Sequence, residues 1–196
     1  MKTRLERLPP LVLASASPRR AELLRQAGVT FRVEVSGVPE PAAGCFTPRE
    51  LCMANASRKA NAVAERFPAH VVLGADTEVA LGRRVFGKPR DRAEAADFLA
   101  ALAGRAHEVI TGVALVQRRP AVLRAFTVVT RVKFLPLGAA QIADYLARIE
   151  PCDKAGAYAV QEHGELIVEA VEGSFSNVVG LPVERVLAEL EQWPAR

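Results

Sequence analysis

Arg19 and Arg20 are the first residues to demand a chemical explanation. They lie in "ASASPRRAELLRQAG" (14–28), which reads as a helix start with Ser17 as N-cap and Pro18 at the first helical position, closing near Gly28. Two cations in the first turn face the positive pole of the helix, at roughly 0.3–1 kcal/mol each. A phosphate at that N-terminus would remove the conflict. Unpaired N–H groups, the hydroxyls of Ser15 and Ser17 and two guanidinium forks would then converge on its oxygens. Without a phosphate they are two solvated arginines behind a Ser-Pro helix start.

Lys59 is the second anomaly. Cys52, Ala56, Val63 and Phe67 recur at helical spacing and form an apolar stripe that contains it. A lysine there either meets an anion or runs its stem out to water. Asp76 follows an apolar run, at the strand end where open α/β sheets place ligands. A carboxylate there can hold Mg²⁺ or orient a water, or simply serve a turn. Glu40, in "SGVPEP", is a second acid that can converge on the same cleft. "GRRVFGKP" (82–89) imitates a phosphate loop, but Pro89 stands where Ser or Thr is required and the segment sits in a hairpin, so a Walker-type kinase is excluded. Lys88 can still meet a phosphate independently. In "DKAGAYAVQ" (153–161), Gln161 offers an amide donor and acceptor together.

The elements that must position these residues follow from pattern. Strands are expected at 11–14, 31–35, 71–75, 109–116, 126–134, 166–171 and 177–180, with a hairpin over 78–86 turning near Gly82. Capping boxes at Thr47–Glu50 and at "DRAE" (91–94) start helices running to about Phe67 and to Gly104. Further helices are expected from Pro136 to about Ile149 and over 182–193. The class is α/β with a mixed sheet, because hairpins interrupt the βα alternation. Residues 1–10 read as an N-terminal extension and 11–196 as a single domain.

Composition narrows the function classes. The 196 residues carry a net charge of +4, and half are hydrophobic. Without an apolar run of about 18 residues, no membrane span is expected. Nor does "MKTRLERLPP" resemble a secretory signal. Aromatic residues make up 6%, and no Lys/Arg block stands out, which argues against a nucleic-acid partner. Cys45, Cys52 and Cys152 form no metal-binding spacing with His70, His107 and His163, and suggest reduced thiols in a cytoplasmic protein.

Together, "LASASPRR", "GADTEV", "GKPRD", "GRAHEVITGVAL", "PCDKAGAYAVQ" and "GSFSNVVGLP", in this order over roughly 11–183, resemble the Maf family. The resemblance implies a nucleoside triphosphate pyrophosphatase that cleaves the α–β phosphoanhydride to release a nucleoside monophosphate and pyrophosphate. It also implies an inosine triphosphate pyrophosphatase-like fold, with an elongated mixed sheet and two lobes about a cleft, a divalent cation (Mg²⁺ or Mn²⁺), a cytoplasmic location and a plausible homodimer. The family's proton acceptor matches Asp76, and its phosphate-binding set matches Ser15, Arg19, Arg20, Lys59 and Lys88. Its specificity positions match Arg19, Thr77 and Gln161, a trio that looks like the branch acting on dTTP and UTP. The metal would fall to Asp76 with Glu40. The chain departs from the family at Pro39-Glu40, where paired acids are frequent, and at Gly164-Glu165, where a more glycine-rich, apolar stretch is usual. The family is also associated with division arrest, so a non-catalytic, nucleotide-binding regulator of cell division is the rival expectation.

Overall fold

The apolar runs assemble into a seven-stranded mixed sheet in a computed structural model that describes residues 9–39 and 46–194. The strands are β1 (Leu11–Leu13), β2 (Phe31–Val33), β3 (Val71–Leu81), β4 (Arg84–Phe86), β5 (Ala106–Gln117), β6 (Val122–Phe134) and β7 (Val168–Glu172). Their order is β2-β1-β3-β5-β6-β7, with β4 pairing to β3 off this path. β1 runs parallel to β2 and β3, and the remaining pairs are antiparallel. The helices are α1 (Pro18–Gln26), α2 (Pro48–Arg66), α3 (Arg92–Leu102), α4 (Ala139–Arg148), α5 (Phe175–Val179) and α6 (Val183–Glu191).

The core falls into clusters on the two sheet faces. Leu13, Leu24, Leu73, Leu115 and Trp193 pack where α1 and α6 meet the sheet. Ala56, Ala60 and Val63 seat α2 on the opposite face. Small residues alone permit that second contact. An added Cβ on Gly74 would lie 2.3 Å from the Ala56 carbonyl oxygen, and one on Gly112 would lie 2.5 Å from the Cys52 main chain. At Gly74 and Gly112 the backbone of α2 therefore rests directly on the main chain of β3 and β5.

Three expectations are corrected. The strand expected over 71–75 does not stop before Asp76; antiparallel pairing with β5 carries it on to Leu81, so Asp76 lies mid-strand, opposite Gly112. "NVVG" is helical, because Ser174 caps α5 by accepting from the Asn177 amide and Gly180, at φ 129°, ends it. "DRAE" forms half a capping box: Asp91 accepts from the Glu94 amide at 2.8 Å, but the Glu94 carboxylate turns to the Arg90 amide at 2.7 Å. The box at Thr47 is complete. The expected strands at 31–35 and 166–171 are realised as Phe31–Val33 and Val168–Glu172, and the hairpin turns at Gly82 as expected. Cys52 and Cys152 are free thiols, while Cys45 lies outside the described residues.

A third cluster, under α3 and α4, contains Phe134, Tyr145 and Tyr158. His107 is stacked edge-on within it, 4.7 Å from the Phe134 ring centroid, with Nε2 2.9 Å from the Tyr158 hydroxyl. Burial pushes the His107 pKa from 6.5 down to about 4.

Two outcomes are expected. Gly74→Ala must displace α2 and should lower stability by about 2 kcal/mol, read as a melting temperature lower by roughly 4–8 °C. A shift below about 1 °C would mean that the helix–sheet contact yields freely. The unfolded chain protonates His107 below about pH 6.5, whereas the folded chain resists until about pH 4, so stability falls across that window by on the order of 3 kcal/mol. His107→Gln should flatten the dependence of melting temperature on pH between 7 and 4.5. An unchanged slope would assign it to other groups.

Candidate active site

The register of β3 creates an opening. Its pairing with β1 ends at Leu73, and its pairing with β4 begins at Val79. Among the described residues, 74–78 therefore have a neighbouring strand on the β5 side alone. A cleft of about 860 Å³ lies there, walled by the β1–α1 loop, residues 35–39, Gly87-Lys88 and residues 153–155 and 158–161. Ser15, Arg19, Arg20, Lys59, Asp76, Thr77, Lys88 and Gln161 all line it. Glu40 lies outside the described residues.

Alternation along β3 points Asp76 and Thr77 to opposite faces. Asp76 faces α2, where Lys59 Nζ donates to Oδ1 at 2.7 Å and Asn55 Nδ2 donates to Oδ2 at 3.0 Å. Lys59 and Asp76 are 9% and 5% exposed, so the stripe lysine does meet an anion rather than snorkel. The seating of α2 on Gly74 and Gly112 is what brings the two within reach. Asn55 is absent from the expected set, although its place one turn before Lys59 on the same helix was a usable signal.

Thr77 faces α1 and α5. Its hydroxyl accepts from Arg20 Nη2 at 3.0 Å and lies 2.9 Å from Thr111 Oγ1 and 3.1 Å from the Gly180 carbonyl oxygen. Arg20 also donates from Nε to Gly180 O at 2.8 Å and from Nη1 to Ser15 Oγ at 3.2 Å. This network braces the α1 N-terminus against β3. Ser17 caps the helix as expected, accepting from the Arg20 amide. Arg19 reaches across the cleft, donating from Nη1 to Asp153 Oδ2 at 2.9 Å and from Nη2 to the Asp153 carbonyl oxygen at 3.0 Å. Lys88 and Gln161 are exposed. The main chain beside Lys88 is fixed where Gly87 O accepts from the Gly156 amide at 3.0 Å.

Glu78, Asp153, Lys154 and Tyr158 also line the cleft and were not anticipated. Five cationic side chains (Arg19, Arg20, Lys59, Lys88 and Lys154), a helix N-terminus and the carboxylates of Asp76, Glu78 and Asp153 thus share one recess. Such a recess suits a ligand of several negative charges and can assist proton transfer at a bound group. Among the described residues, no group of three or more His, Cys, Asp or Glu side chains is placed to hold a metal. The donors nevertheless fit Mg²⁺ or Mn²⁺ in the manner used with phosphate ligands, which takes one or two carboxylates. Among the described residues, each Asp76 oxygen accepts one protein hydrogen bond and keeps lone-pair capacity, and Asn55 Oδ1 beside it is buried with no hydrogen-bond partner.

A family profile described as Maf-like protein matches residues 10–193. A dTTP/UTP pyrophosphatase from Bacillus cereus (strain ATCC 10987 / NRS 248) is 44% identical over 188 residues, covering 96% of this chain and 92% of that protein. A protein of the same name from Symbiobacterium thermophilum is 47% identical over 183 residues, or 93% of each chain. Another from Bacillus cytotoxicus is 46% identical over 182 residues, covering 93% and 94%. On matches that run almost from end to end, over the same segments that build the cleft, the chain belongs to the Maf family.

Proposed function

We propose that the chain hydrolyses the α–β phosphoanhydride of nucleoside triphosphates, dTTP and UTP foremost, to the nucleoside monophosphate and pyrophosphate. The observation that carries this reading is a buried carboxylate, Asp76, gripped by Lys59 in a recess ringed by Arg19, Arg20 and Lys88. The names of the relatives point the same way.

The reaction needs a water to attack the α-phosphorus, loss of its proton, and charge neutralisation as the bond to the bridging oxygen breaks and pyrophosphate departs. Asp76 accepts the proton. Lys59 and Asn55 hold its oxygens in place, so little reorganisation is required at the moment of transfer. The triphosphate tail lies along the α1 N-terminus, where Ser15, Arg19, Arg20 and Lys88 offset charge that grows on the leaving group. Mg²⁺ or Mn²⁺, held by Asp76 with Glu40 and by phosphate oxygens, would supply further Lewis-acid neutralisation of that charge. Gln161, at the exposed end of the cleft, pairs its amide with O4 and N3–H of a uracil or thymine ring, and Arg19 and Thr77 add to the choice of base. A cytoplasmic setting suits the free thiols.

Incubation with dTTP or UTP and Mg²⁺ or Mn²⁺ should yield dTMP or UMP with stoichiometric pyrophosphate. Binding without turnover would favour the nucleotide-binding regulator instead. Asp76→Asn should lower kcat by about 10²–10⁴-fold, measured on protein shown by melting to be folded. Near-parental turnover would remove Asp76 from the mechanism. Gln161→Ala should reduce the preference for dTTP and UTP over GTP, in kcat/KM, on the order of tenfold. An unchanged ratio would mean that the base is read elsewhere.

A further inference from the structure

A carboxylate in the wall of a cleft for polyanions needs a reason, because it repels the ligand. Asp153 is such a carboxylate, and both of its oxygens carry a cation. Oδ2 accepts from Arg19 Nη1 at 2.9 Å, and Oδ1 accepts from Lys154 Nζ at 2.8 Å. Partial burial works against its charge, yet hydrogen bonds from Lys154 and Arg19 outweigh that effect and hold its pKa below the ordinary value. Lys154 is built in rather than incidental. It is 5% exposed, donates to the Glu150 carbonyl oxygen at 2.7 Å and lies 3.4 Å from Glu162.

Arg19 therefore takes its position from Asp153. The side-chain and main-chain oxygens of Asp153 occupy one edge of the fork, while Nε and the remaining Nη hydrogens stay available to another acceptor. The same contact ties α1 to the segment that ends in Gln161. That segment is fixed between Gly156 and Ala159, where the Ala159 amide donates to the Tyr145 hydroxyl at 3.1 Å. The Gly156 amide is bonded to Gly87 O, Ala157 is buried with φ 63°, and the Tyr158 hydroxyl meets His107. A non-glycine residue in that left-handed region persists only where its surroundings enforce it.

We propose that Asp153, seated on Lys154, is a positioning residue: it aims Arg19 into the cleft and sets the distance between the triphosphate grip at α1 and the base-reading end at Gln161. This inference rests on the triphosphate reading above. It assigns to a residue with no expected role a share in both affinity and choice of base.

The test uses Asp153→Asn, Asp153→Ala and Asp153→Glu in the full chain, each checked by thermal melting. Asn and Ala should raise KM for dTTP roughly three- to tenfold while kcat stays within about threefold, and should narrow the preference for dTTP over GTP. Glu should restore part of both. In an Arg19→Ala background, Asp153→Ala should add little, because the contact is already lost. A merely structural Asp153 would lower the melting temperature and leave KM and base preference unchanged, which overturns the proposal, as do fully additive losses with Arg19→Ala. Binding of an α,β-imido analogue of dUTP, followed calorimetrically, requires no turnover and should weaken in Asn and Ala alike; unchanged affinity in both overturns the proposal. If the parent protein binds the analogue but releases no pyrophosphate from dTTP, the catalytic reading fails alone and the Asp153 comparison still decides. If it does not bind the analogue at all, both fail.

Discussion

The ion pair between Lys59 and Asp76 sets the terms for the cleft. Both partners are buried, and neither charge is easily borne alone: removing one partner of a buried pair typically costs about 3–5 kcal/mol. The pair in turn demands that α2 approach the sheet more closely than ordinary side chains allow. Gly74 and Gly112 meet that demand, one on each strand beneath the helix. Chemistry and packing are thus a single problem here. The same two missing side chains that seat the helix deliver the ammonium to the carboxylate.

The other face of β3 solves a complementary problem. Thr77 ties Arg20 to the strand, Ser15 and Gly180 complete the brace, and the α1 N-terminus is held with its amides toward the cleft. One strand therefore organises two kinds of group, an acid on one side and a cation-bearing helix end on the other. Alternation of side chains along β3 separates them, and the gap in its pairing lets both reach the same space.

Much of this was legible in the sequence wherever the signal was local. The α1 N-terminus announced itself through Ser17, Pro18 and two misplaced cations, and Lys59 through its intrusion into an apolar stripe. Longer-range facts were not legible. Asp76 was placed at a strand tip because nothing near it shows that β5 continues the ladder to Leu81. "NVVG" looked like a strand because its composition is β-branched, and the deciding groups, the Ser174 cap and Gly180, flank the run rather than belong to it. Asn55 lies one turn before Lys59 on α2, and that spacing marks it as a second donor only once Asp76 is known to face the helix. Asp153 has one partner, Lys154, beside it in the sequence, but its second, Arg19, lies 134 positions away in the chain.

The gap in β3 pairing has a further consequence for how the protein behaves among its own copies. An open strand edge is ordinarily a template onto which a neighbouring chain can zip, and many proteins guard such edges with lysine, proline or a bulge. Here the unpaired rung is guarded by depth instead. Ala75 is fully buried and Asp76 is 5% exposed, below walls that meet across the top where Arg19 grips Asp153. Depth, rather than a lysine or a proline, thus separates this edge from the strands of neighbouring copies.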